Sequence, residues 1–286
     1  MRELRTYRPA CKSNPSNSYL SPNQYTIQMK IHIIGGGNLG SAIAIGLAQF
    51  TTGNSITVTR RNSSLIEHLK QYGITTSANN TTGINEADIV ILAIKPWQAD
   101  LVLDEILPHI SGKIIASAVS GVTVEHLNRK VGGTNTVVRI MPNIAVQYGA
   151  SATCISAHAS DMDKTQAIVE LFDKVGTAVI IDEKLMDAAT VLGACGTAFA
   201  LRYIRASMQA GIEIGFDAKT ALAIAAQTAL GATEMLLKEN AHPEQLIDKV
   251  TTPQGCTIAG LNEMEHEGFS SSLIKGIKTS LKKIKE

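Results

Sequence analysis

The sequence predicts an α/β protein with an N-terminal Rossmann-type doubly wound sheet and a C-terminal all-helical domain. Short apolar strands alternate with helical stretches as far as Ile181, which is the pattern of a parallel sheet covered by helices. From Asp182 onward the sequence contains no convincing strand. We therefore predict a nucleotide-binding domain over residues 29–181 and a helical domain over residues 182–286.

The composition excludes several classes of function. The chain has 286 residues, 44% of them apolar, which suffices for one large domain or two medium ones. A net charge of +1 gives no electrostatic reason to expect nucleic acid or an anionic membrane as a partner. The four cysteines, Cys11, Cys154, Cys195 and Cys256, are far apart and form no C-x-x-C pair. They indicate neither a metal site nor a disulfide framework, and they fit a reducing, cytoplasmic location.

Residues 1–28 differ in composition from the rest of the chain. They are rich in Ser, Asn, Pro and Arg and lack the apolar stretch of a secretory signal. A basic, acid-poor transit peptide is one interpretation. The interpretation that we favour is a disordered tail, or a start assigned upstream of the true one at Met29.

A glycine-rich motif follows the first predicted strand. Residues 29–34 (MKIHII) lead into Gly35-Gly36-Gly37-Asn38-Leu39-Gly40 and then into the helix SAIAIGLAQF. This is G-x-G-x-x-G with a strand before it and a helix after it, the context that a dinucleotide site requires. Gly35 permits the tight turn, Gly37 lets a pyrophosphate approach the backbone, and Gly40 lets the helix pack closely on the strand.

The end of the second strand, SITVTR, indicates which dinucleotide binds. A site for NAD usually has Asp or Glu there, which binds the ribose 2′-hydroxyl. This chain has Arg60-Arg61-Asn62-Ser63 instead. Two guanidinium groups suit a 2′-phosphate, so we predict NADPH rather than NADH.

Further elements complete the predicted sheet. The run ADIVILAI is continuously apolar, as in a central strand buried on both faces, and Lys95-Pro96 ends it at the carboxyl edge, where ligands bind. The remaining predicted strands and helices are 113–119, 136–141, 151–156, GTAVII to Ile181, and the helices Val124–Lys130 and Lys164–Val175.

The helix predicted from about Ala218 to Lys238 is apolar on nearly every side and rich in alanine. Such a helix must be buried. Polar residues interrupt it and its side chains are small, so it is a poor membrane span. About a hundred residues could hardly enclose it, so we predict a homodimer with interleaved helices. Packing against the N-terminal domain alone is the alternative.

A polar loop precedes a further predicted helix in VTTPQGCTIAGL, residues 250–261. A loop of this kind directs backbone N–H groups at whatever lies in front of the helix, which favours an anion. Thr252 and Thr257 are also compatible with a purely structural role as helix caps.

These motifs together resemble the pyrroline-5-carboxylate reductase family. The resemblance runs from about Met29 to the C-terminus. It rests on motifs in the family's order and spacing: IIGGGNLGSAI, AIKPWQ, SGVTVEHL, VVRIMPN, DAATVLGACGTAF, AIAAQTALGATEML and VTTPQGCTIAGL.

The resemblance implies a homodimer, an assembly of dimers in many members, and hydride transfer from NAD(P)H to the C=N carbon of a cyclic imine carboxylate. It implies that Thr257 hydrogen-bonds the ring nitrogen as the catalytic group. The implied cofactor residues are Gly35, Gly37, Asn38, Leu39, Gly40, Arg60, Arg61, Asn62, Asn80, Ala93, Lys95, Pro96, Ala118, Val119 and Ser120. The implied substrate residues are Asn143, Thr252, Gly255, Cys256 and Thr257.

The chain departs from the family's pattern where substrate binds. The loop reads TTPQGCT where the family reads T-S-P-G-G-T-T, so Gln254 replaces a glycine and Cys256 a threonine. Thr197 stands where G-S-G-P-A-Y has proline. Glutamine in a tight loop is costly if φ is positive. The activity that we predict is the reduction of 1-pyrroline-5-carboxylate to L-proline. Because of these departures there are two alternatives: the chain reduces a related cyclic imine, or it is a relative that binds NADP without activity.

Overall fold

The computed structural model describes residues 28–285 of the chain, so most of the predicted N-terminal extension, residues 1–28, lies outside the described residues. Eight strands in the described part form one sheet. They are β1 (Lys30–Ile34), β2 (Ser55–Thr59), β3 (Thr75–Ser77), β4 (Ile89–Leu92), β5 (Ile114–Ser117), β6 (Thr136–Met141), β7 (Ser151–Ala157) and β8 (Gly176–Ile180).

The strand order is β3-β2-β1-β4-β5-β6-β7-β8, whose first six strands have the doubly wound order of a Rossmann fold. The predicted parallel sheet is wrong at one pair, because β7 runs antiparallel to β6 while β8 runs parallel to β7. Only residues 142–150 join β6 to β7, and a parallel crossover needs a dozen or more residues. The short strand β3 (TTS) was not predicted, since three polar residues carry no apolar pattern.

Helices cover both faces of the sheet, and after β8 the described chain consists of helices and their connections. Those of the first part are α1 (Asn38–Phe50), α2 (Ala99–Ile106), α3 (Val124–Val131) and α4 (Met162–Asp173), and a 3-10 helix (Ser63–Tyr72) joins β2 to β3. Those after β8 are α5 (Met186–Ala189), a π-helical segment (Thr190–Cys195), α6 (Gly196–Glu213), α7 (Ala218–Glu239), α8 (Pro243–Lys249), α9 (Cys256–His266) and α10 (Phe269–Lys285). Among residues 28–285, no strand follows Ile180, as predicted.

The sheet has a buried apolar cluster on each face. One cluster joins β1 to α1 and α4, with Ile33, Leu47 and Phe172 fully buried. The other joins β4 and β5 to α2 and α3, with Leu103 and Leu127 fully buried. Every residue of β4 is buried, as its continuous apolar sequence predicts for a central strand. One chain therefore completes the core of this part by itself.

The helical part buries far less of its apolar surface. Helices α6 and α7 pack against each other, and Gly211 permits a close crossing because a Cβ there would stand 2.9 Å from the Cβ of Ala221. Ala221 is the one buried residue of α7, whereas Ile224 is 49% and Leu237 77% exposed. The alternative in which α7 packs against the N-terminal domain alone is therefore wrong for this chain. By length and composition, residues 183–213 and 218–239 could each span a membrane, a test that buried helices of soluble proteins also pass.

Candidate active site

The glycine-rich loop joins β1 to α1 at the carboxyl edge of the sheet. Gly35 has φ = 106°, and its N–H group and that of Gly36 both donate to the carbonyl oxygen of Thr59. At Gly40 a Cβ would lie 2.0 Å from the carbonyl oxygen of Gly35, so only glycine allows the helix to pack here. At Gly37 a Cβ would meet nothing within 4 Å, so this backbone faces open space.

The first turn of α1 has backbone N–H groups without a hydrogen-bond acceptor in the helix. Gly37 is its N-cap and provides no side-chain cap, and Ser41 is the first residue to donate to the carbonyl of Gly37, at 2.9 Å. The N–H groups before Ser41 are therefore not used by the helix. A helix N-terminus with open backbone in front of it is suited to bind a phosphate.

The two arginines after β2 occupy different surroundings. The Nη1 of Arg60 donates to the carbonyl oxygen of Gly36 at 2.8 Å, which ties this side chain to the glycine-rich loop. Arg61 is exposed and has no such tie. The amide oxygen of Asn62 accepts from the hydroxyl of Ser64 at 2.6 Å.

The side chain of Asn80 connects strand β2 to helix α2. Its Oδ1 accepts from the hydroxyl of Thr59 at 2.8 Å, and its Nδ2 donates to the carboxylate of Glu105 at 2.9 Å. Asn80 is thereby oriented between the end of β2 and helix α2.

A cleft of about 1020 Å³ lies along this edge of the sheet. Most of the predicted cofactor residues line it: Gly35, Gly37, Asn38, Leu39, Arg60, Arg61, Asn62, Asn80, Ala93, Lys95, Pro96, Ala118 and Ser120. Gly40 and Val119 do not line it, because Gly40 packs under the loop and Val119 is buried.

Four residues near or within helix α2 line the cleft although the sequence did not single them out: Gln98, Leu101, Val102 and Glu105. They follow Lys95-Pro96 and face the glycine-rich loop across the carboxyl edge of the sheet. A signal was available, since the helix after a strand that ends at this edge must begin beside the ligand. Among residues 28–285, no group of three or more His, Cys, Asp or Glu side chains is placed to hold a metal ion.

Asn143 has structural hydrogen bonds at both ends of its side chain. Its Oδ1 accepts from the N–H group of Ala145 at 3.0 Å, and its Nδ2 donates to the carbonyl oxygen of Gly193 at 3.3 Å. Gly193 lies in the π-helical segment, which a hydroxyl of Thr197 also reaches at 3.5 Å. π-Helical turns occur often at functional sites. Asn143 thus joins the end of β6 to the helical part.

The loop before α9 is a tight turn with a left-handed residue. The N–H group of Gly255 donates to the carbonyl oxygen of Thr252 at 3.0 Å, across Pro253 and Gln254. Gln254 has φ = 58°, as the third residue of a type II turn requires, although glycine is the usual residue there. A Cβ at Gly255 would lie 2.5 Å from the hydroxyl oxygen of Thr252 and 3.0 Å from its carbonyl oxygen, so a side chain at this position would require Thr252 to shift.

Helix α9 begins at Cys256 with Gly255 as its N-cap, so its first N–H groups have no side-chain cap. The interpretation of Thr252 and Thr257 as mere caps is therefore wrong. Cys256 and Thr257 are exposed, and none of residues 252–257 lines the cofactor cleft of the same chain. The described part of a single chain thus presents the two predicted halves of the site on separate surfaces.

Sequence comparisons identify both parts of the chain. Residues 183–286 match the family described as pyrroline-5-carboxylate reductase dimerisation. Residues 30–121 match the family described as NADP oxidoreductase coenzyme F420-dependent.

Two curated relatives come from Dictyostelium discoideum. Pyrroline-5-carboxylate reductase 1 is 44% identical over 87% of this chain, which spans about half, 48%, of that relative's length. Pyrroline-5-carboxylate reductase 2 is 42% identical over 88% of this chain and 91% of the relative. Among solved structures, the Plasmodium falciparum pyrroline carboxylate reductase with NADP bound has a TM-score of 0.78 and 26% identity, covering 90% of this chain and 97% of that one.

Proposed function

The chain belongs to the pyrroline-5-carboxylate reductase family, and from this premise we propose which of its residues carry out the reduction of 1-pyrroline-5-carboxylate to L-proline. The protein is an NADP-dependent oxidoreductase of the Rossmann type. The observation that carries the residue assignment is the cleft at the carboxyl edge of the sheet, where the open backbone at Gly37 meets the uncapped start of α1.

We propose that NADPH, which supplies the hydride when bound, occupies this cleft. The open space at Gly37 and the spare N–H groups of α1 fit its pyrophosphate. The walls would be formed by Gly35, Asn38, Leu39, Asn80, Ala93, Lys95, Pro96, Ala118 and Ser120. Gly40 and Val119 would not contact the nucleotide but would support the loops that do.

The two arginines would have separate roles in the proposed preference for NADPH over NADH. Arg61 is exposed at the cleft and would pair with the 2′-phosphate, with Asn62 beside it. Arg60 already donates to the carbonyl oxygen of Gly36, so it would mainly hold the glycine-rich loop in place. Because no acidic side chain ends β2, nothing there would repel the phosphate.

We propose that the loop before α9 holds the substrate. The uncapped N–H groups at Cys256 and Thr257 would bind the carboxylate, with Thr252 and Gly255 beside them. The free hydroxyl of Thr257 would hydrogen-bond the imine nitrogen, orient the ring and relay a proton through water. Asn143 would act indirectly, because its side-chain atoms already support the π-helical segment.

The separation of loop and cleft in one chain leads us to propose a homodimer in which the loop of one subunit approaches the cleft of its partner. The exposed apolar residues of α7 would be covered in the same assembly. An assembly of several dimers and a location in the cytoplasm are further parts of this proposal. The nucleotide domain would comprise residues 29–181, and the helical substrate and dimerisation domain residues 182–286.

The experiment that tests the function measures NADPH oxidation by the purified protein with a panel of cyclic imines. The panel contains 1-pyrroline-5-carboxylate, its six-membered ring homologue and 1-pyrroline without a carboxylate. We expect the five-membered carboxylate to give the highest kcat/KM and 1-pyrroline the lowest, because the loop amides bind the carboxylate. A higher kcat/KM for the homologue would favour the related-imine alternative, and NADPH binding without reduction of any imine would favour the inactive relative.

Two arginine variants test the cofactor preference. Arg61→Ala should weaken NADPH binding by about tenfold or more, the usual value of a hydrogen bond to a charged group, and should leave NADH binding unchanged. Arg60→Ala should weaken binding of both nucleotides, because the brace to Gly36 serves either one. A preference of the unchanged protein for NADH would contradict the proposal.

A further inference from the structure

An ion pair between a buried arginine and a partly exposed glutamate joins the sheet to the beginning of the helical part. Arg139 lies in the middle of β6, and its side chain is 4% exposed. Its Nη1 donates to Oε1 of Glu183 at 3.0 Å, while its Nε and Nη2 are buried without a hydrogen-bond partner. Glu183 lies shortly after β8, as the first residue of a 3-10 helix (Glu183–Leu185) that opens the helical part. The guanidinium therefore fixes the position of this carboxylate.

The same carboxylate oxygen binds the start of helix α3. Oε1 of Glu183 accepts from the N–H group of Val124, the first residue of α3, at 2.7 Å. Thr123, the N-cap, accepts from His126 through its hydroxyl and from Leu127 through its carbonyl oxygen. A helix N-terminus has unsatisfied N–H groups and favours negative charge, so Glu183 completes the capping of α3.

The segment before α3 forms part of the cofactor cleft. Ala118 and Ser120 line the cleft, and residues 118–123 connect β5 to α3. The segment is held at the sheet by the N–H group of Ala118, which donates to the carbonyl oxygen of Leu92 at 2.9 Å. At its other end, it is held by the contact between Val124 and Glu183.

We infer that Glu183 is a positioning residue for the cofactor cleft. Its carboxylate, oriented by Arg139, holds the start of α3 and thereby the wall formed by residues 118–120. The first turn of the helical part thus controls the shape of a site in the sheet domain. This inference rests on the proposed function, because it takes NADPH as the molecule that fills the cleft.

The test measures NADPH affinity in the full-length protein, by the fluorescence of the bound nucleotide. Glu183→Gln removes the charge that binds Val124 and Arg139. Glu125→Gln is the matched control, because Glu125 is an exposed carboxylate in the first turn of the same helix. We expect Glu183→Gln to raise the NADPH dissociation constant about fivefold, the value of a partly buried charge at a helix end, and Glu125→Gln to change it less than about twofold.

A second measurement needs no nucleotide. Amide hydrogen exchange should accelerate at residues 118–127 in Glu183→Gln and should stay unchanged there in Glu125→Gln. If Glu183→Gln fails to fold because Arg139 is left without its counter-charge, the NADPH affinity of Val124→Pro provides the test instead. Proline is tolerated at the first position of a helix, so this change removes one N–H group and leaves the ion pair intact. It should raise the NADPH dissociation constant as well.

The outcomes separate the two proposals. If the unchanged protein binds NADPH and the folded variants at Glu183 and Val124 bind it equally well, the positioning role is overturned and the proposed function stands. If the unchanged protein does not bind NADPH, both are overturned.

Discussion

The two parts of the chain differ in how much of their own core they contain. The sheet part encloses an apolar cluster on each of its faces, and all four residues of β4 are buried. In the helical part, no residue of α6 or α9 is buried and α7 buries Ala221 alone. The first part is therefore specified within one chain, whereas the second has an apolar surface that needs another subunit.

Most of the altered motifs lie in the helical part, whereas the motifs at the cofactor cleft are intact. The glycine-rich loop and Lys95-Pro96 in the sheet part keep the family's pattern, while Thr197, Gln254 and Cys256 in the helical part depart from it. Nucleotide binding is a requirement that many oxidoreductases share, whereas the substrate distinguishes them. Changes in the second part can therefore alter the substrate without disturbing the fold of the first.

The largest effect that we predict is a loss of dimerisation through the helical part, with NADPH binding by the sheet part unchanged. Ile224→Asp places a charge on the apolar surface of α7, at a side chain that is 49% exposed in one chain. Burying an unpaired charge at a subunit interface costs several kcal/mol, so we expect dimer affinity to fall about a hundredfold or more. Sedimentation measures the dimer, and NADPH binding measures the sheet part, which should change less than about twofold.

Leu65→Asp is the matched control for this prediction. Leu65 is an exposed leucine side chain in the 3-10 helix of the sheet part, 52% exposed. The same change of charge at this position should leave the dimer unaffected. An unchanged dimer in Ile224→Asp would show that α7 is not covered by a second subunit.

The sequence predicted the elements whose patterns are local. The motif around Gly35 and the apolar run of β4 need only neighbouring residues to be recognised, and both were found. The direction of β7 was predicted wrongly, although the length of the connection was a signal in the sequence, because residues 142–150 are too few for a parallel crossover. The interdomain contact of Glu183 with Val124 spans 59 positions, and nothing local in the sequence indicates it.

The next largest effect is a loss of turnover on substitution of one residue of the helical part, Thr257. Thr257→Ala removes a hydroxyl that has no partner in the described chain and that we assign to the imine nitrogen. We expect kcat to fall about a hundredfold, the lower range for a group that assists proton transfer, with NADPH affinity unchanged. Steady-state kinetics and direct NADPH binding provide the two measurements.

Thr257→Ser is the control, since serine keeps a hydroxyl at the same position. It should retain most of the turnover. Equal losses in the two variants would point to the methyl group of Thr257 and to packing of the loop, rather than to the hydroxyl.

A third prediction tests the stability of the sheet part, which contains a buried histidine. His32 in β1 is 1% exposed, and neither of its ring nitrogens has a hydrogen-bond partner. Its pKa is lowered from 6.5 to about 4, mainly by burial and also by the charge of Lys113, while the nearby backbone of Asn80 acts in the raising direction. The fold therefore holds the neutral ring, and the unfolded chain binds a proton first as pH falls.

Stability due to this shift is present above about pH 6.5 and is lost as pH falls towards the folded value. The unfolding free energy should fall by about 2 kcal/mol between about pH 7 and pH 5. His32→Leu should remove most of this dependence, and His68→Leu, at an exposed histidine, should not. Urea unfolding at several pH values makes the measurement, and identical pH profiles for His32→Leu and the unchanged protein would contradict the prediction.

The smallest effect concerns the residue that most clearly separates this chain from the family's pattern. Gln254 has φ = 58°, so this glutamine occupies a left-handed conformation that glycine adopts without strain. A left-handed conformation costs a residue with a Cβ about 1 kcal/mol or more, and the greater freedom of glycine in the unfolded chain offsets part of any relief. Gln254→Gly should therefore raise the unfolding free energy by about 0.5 kcal/mol.

Asn240→Gly is the matched control, because Asn240 is the other non-glycine residue with positive φ between residues 28 and 285. Asparagine adopts this conformation more readily than glutamine, so its gain should be smaller. Because glycine can adopt the same φ at this position, Gln254→Gly should also leave kcat with 1-pyrroline-5-carboxylate within about threefold. A large rise in kcat would mean that the glutamine impairs this reaction, and a change in the preferred imine would mean that its side chain selects the substrate.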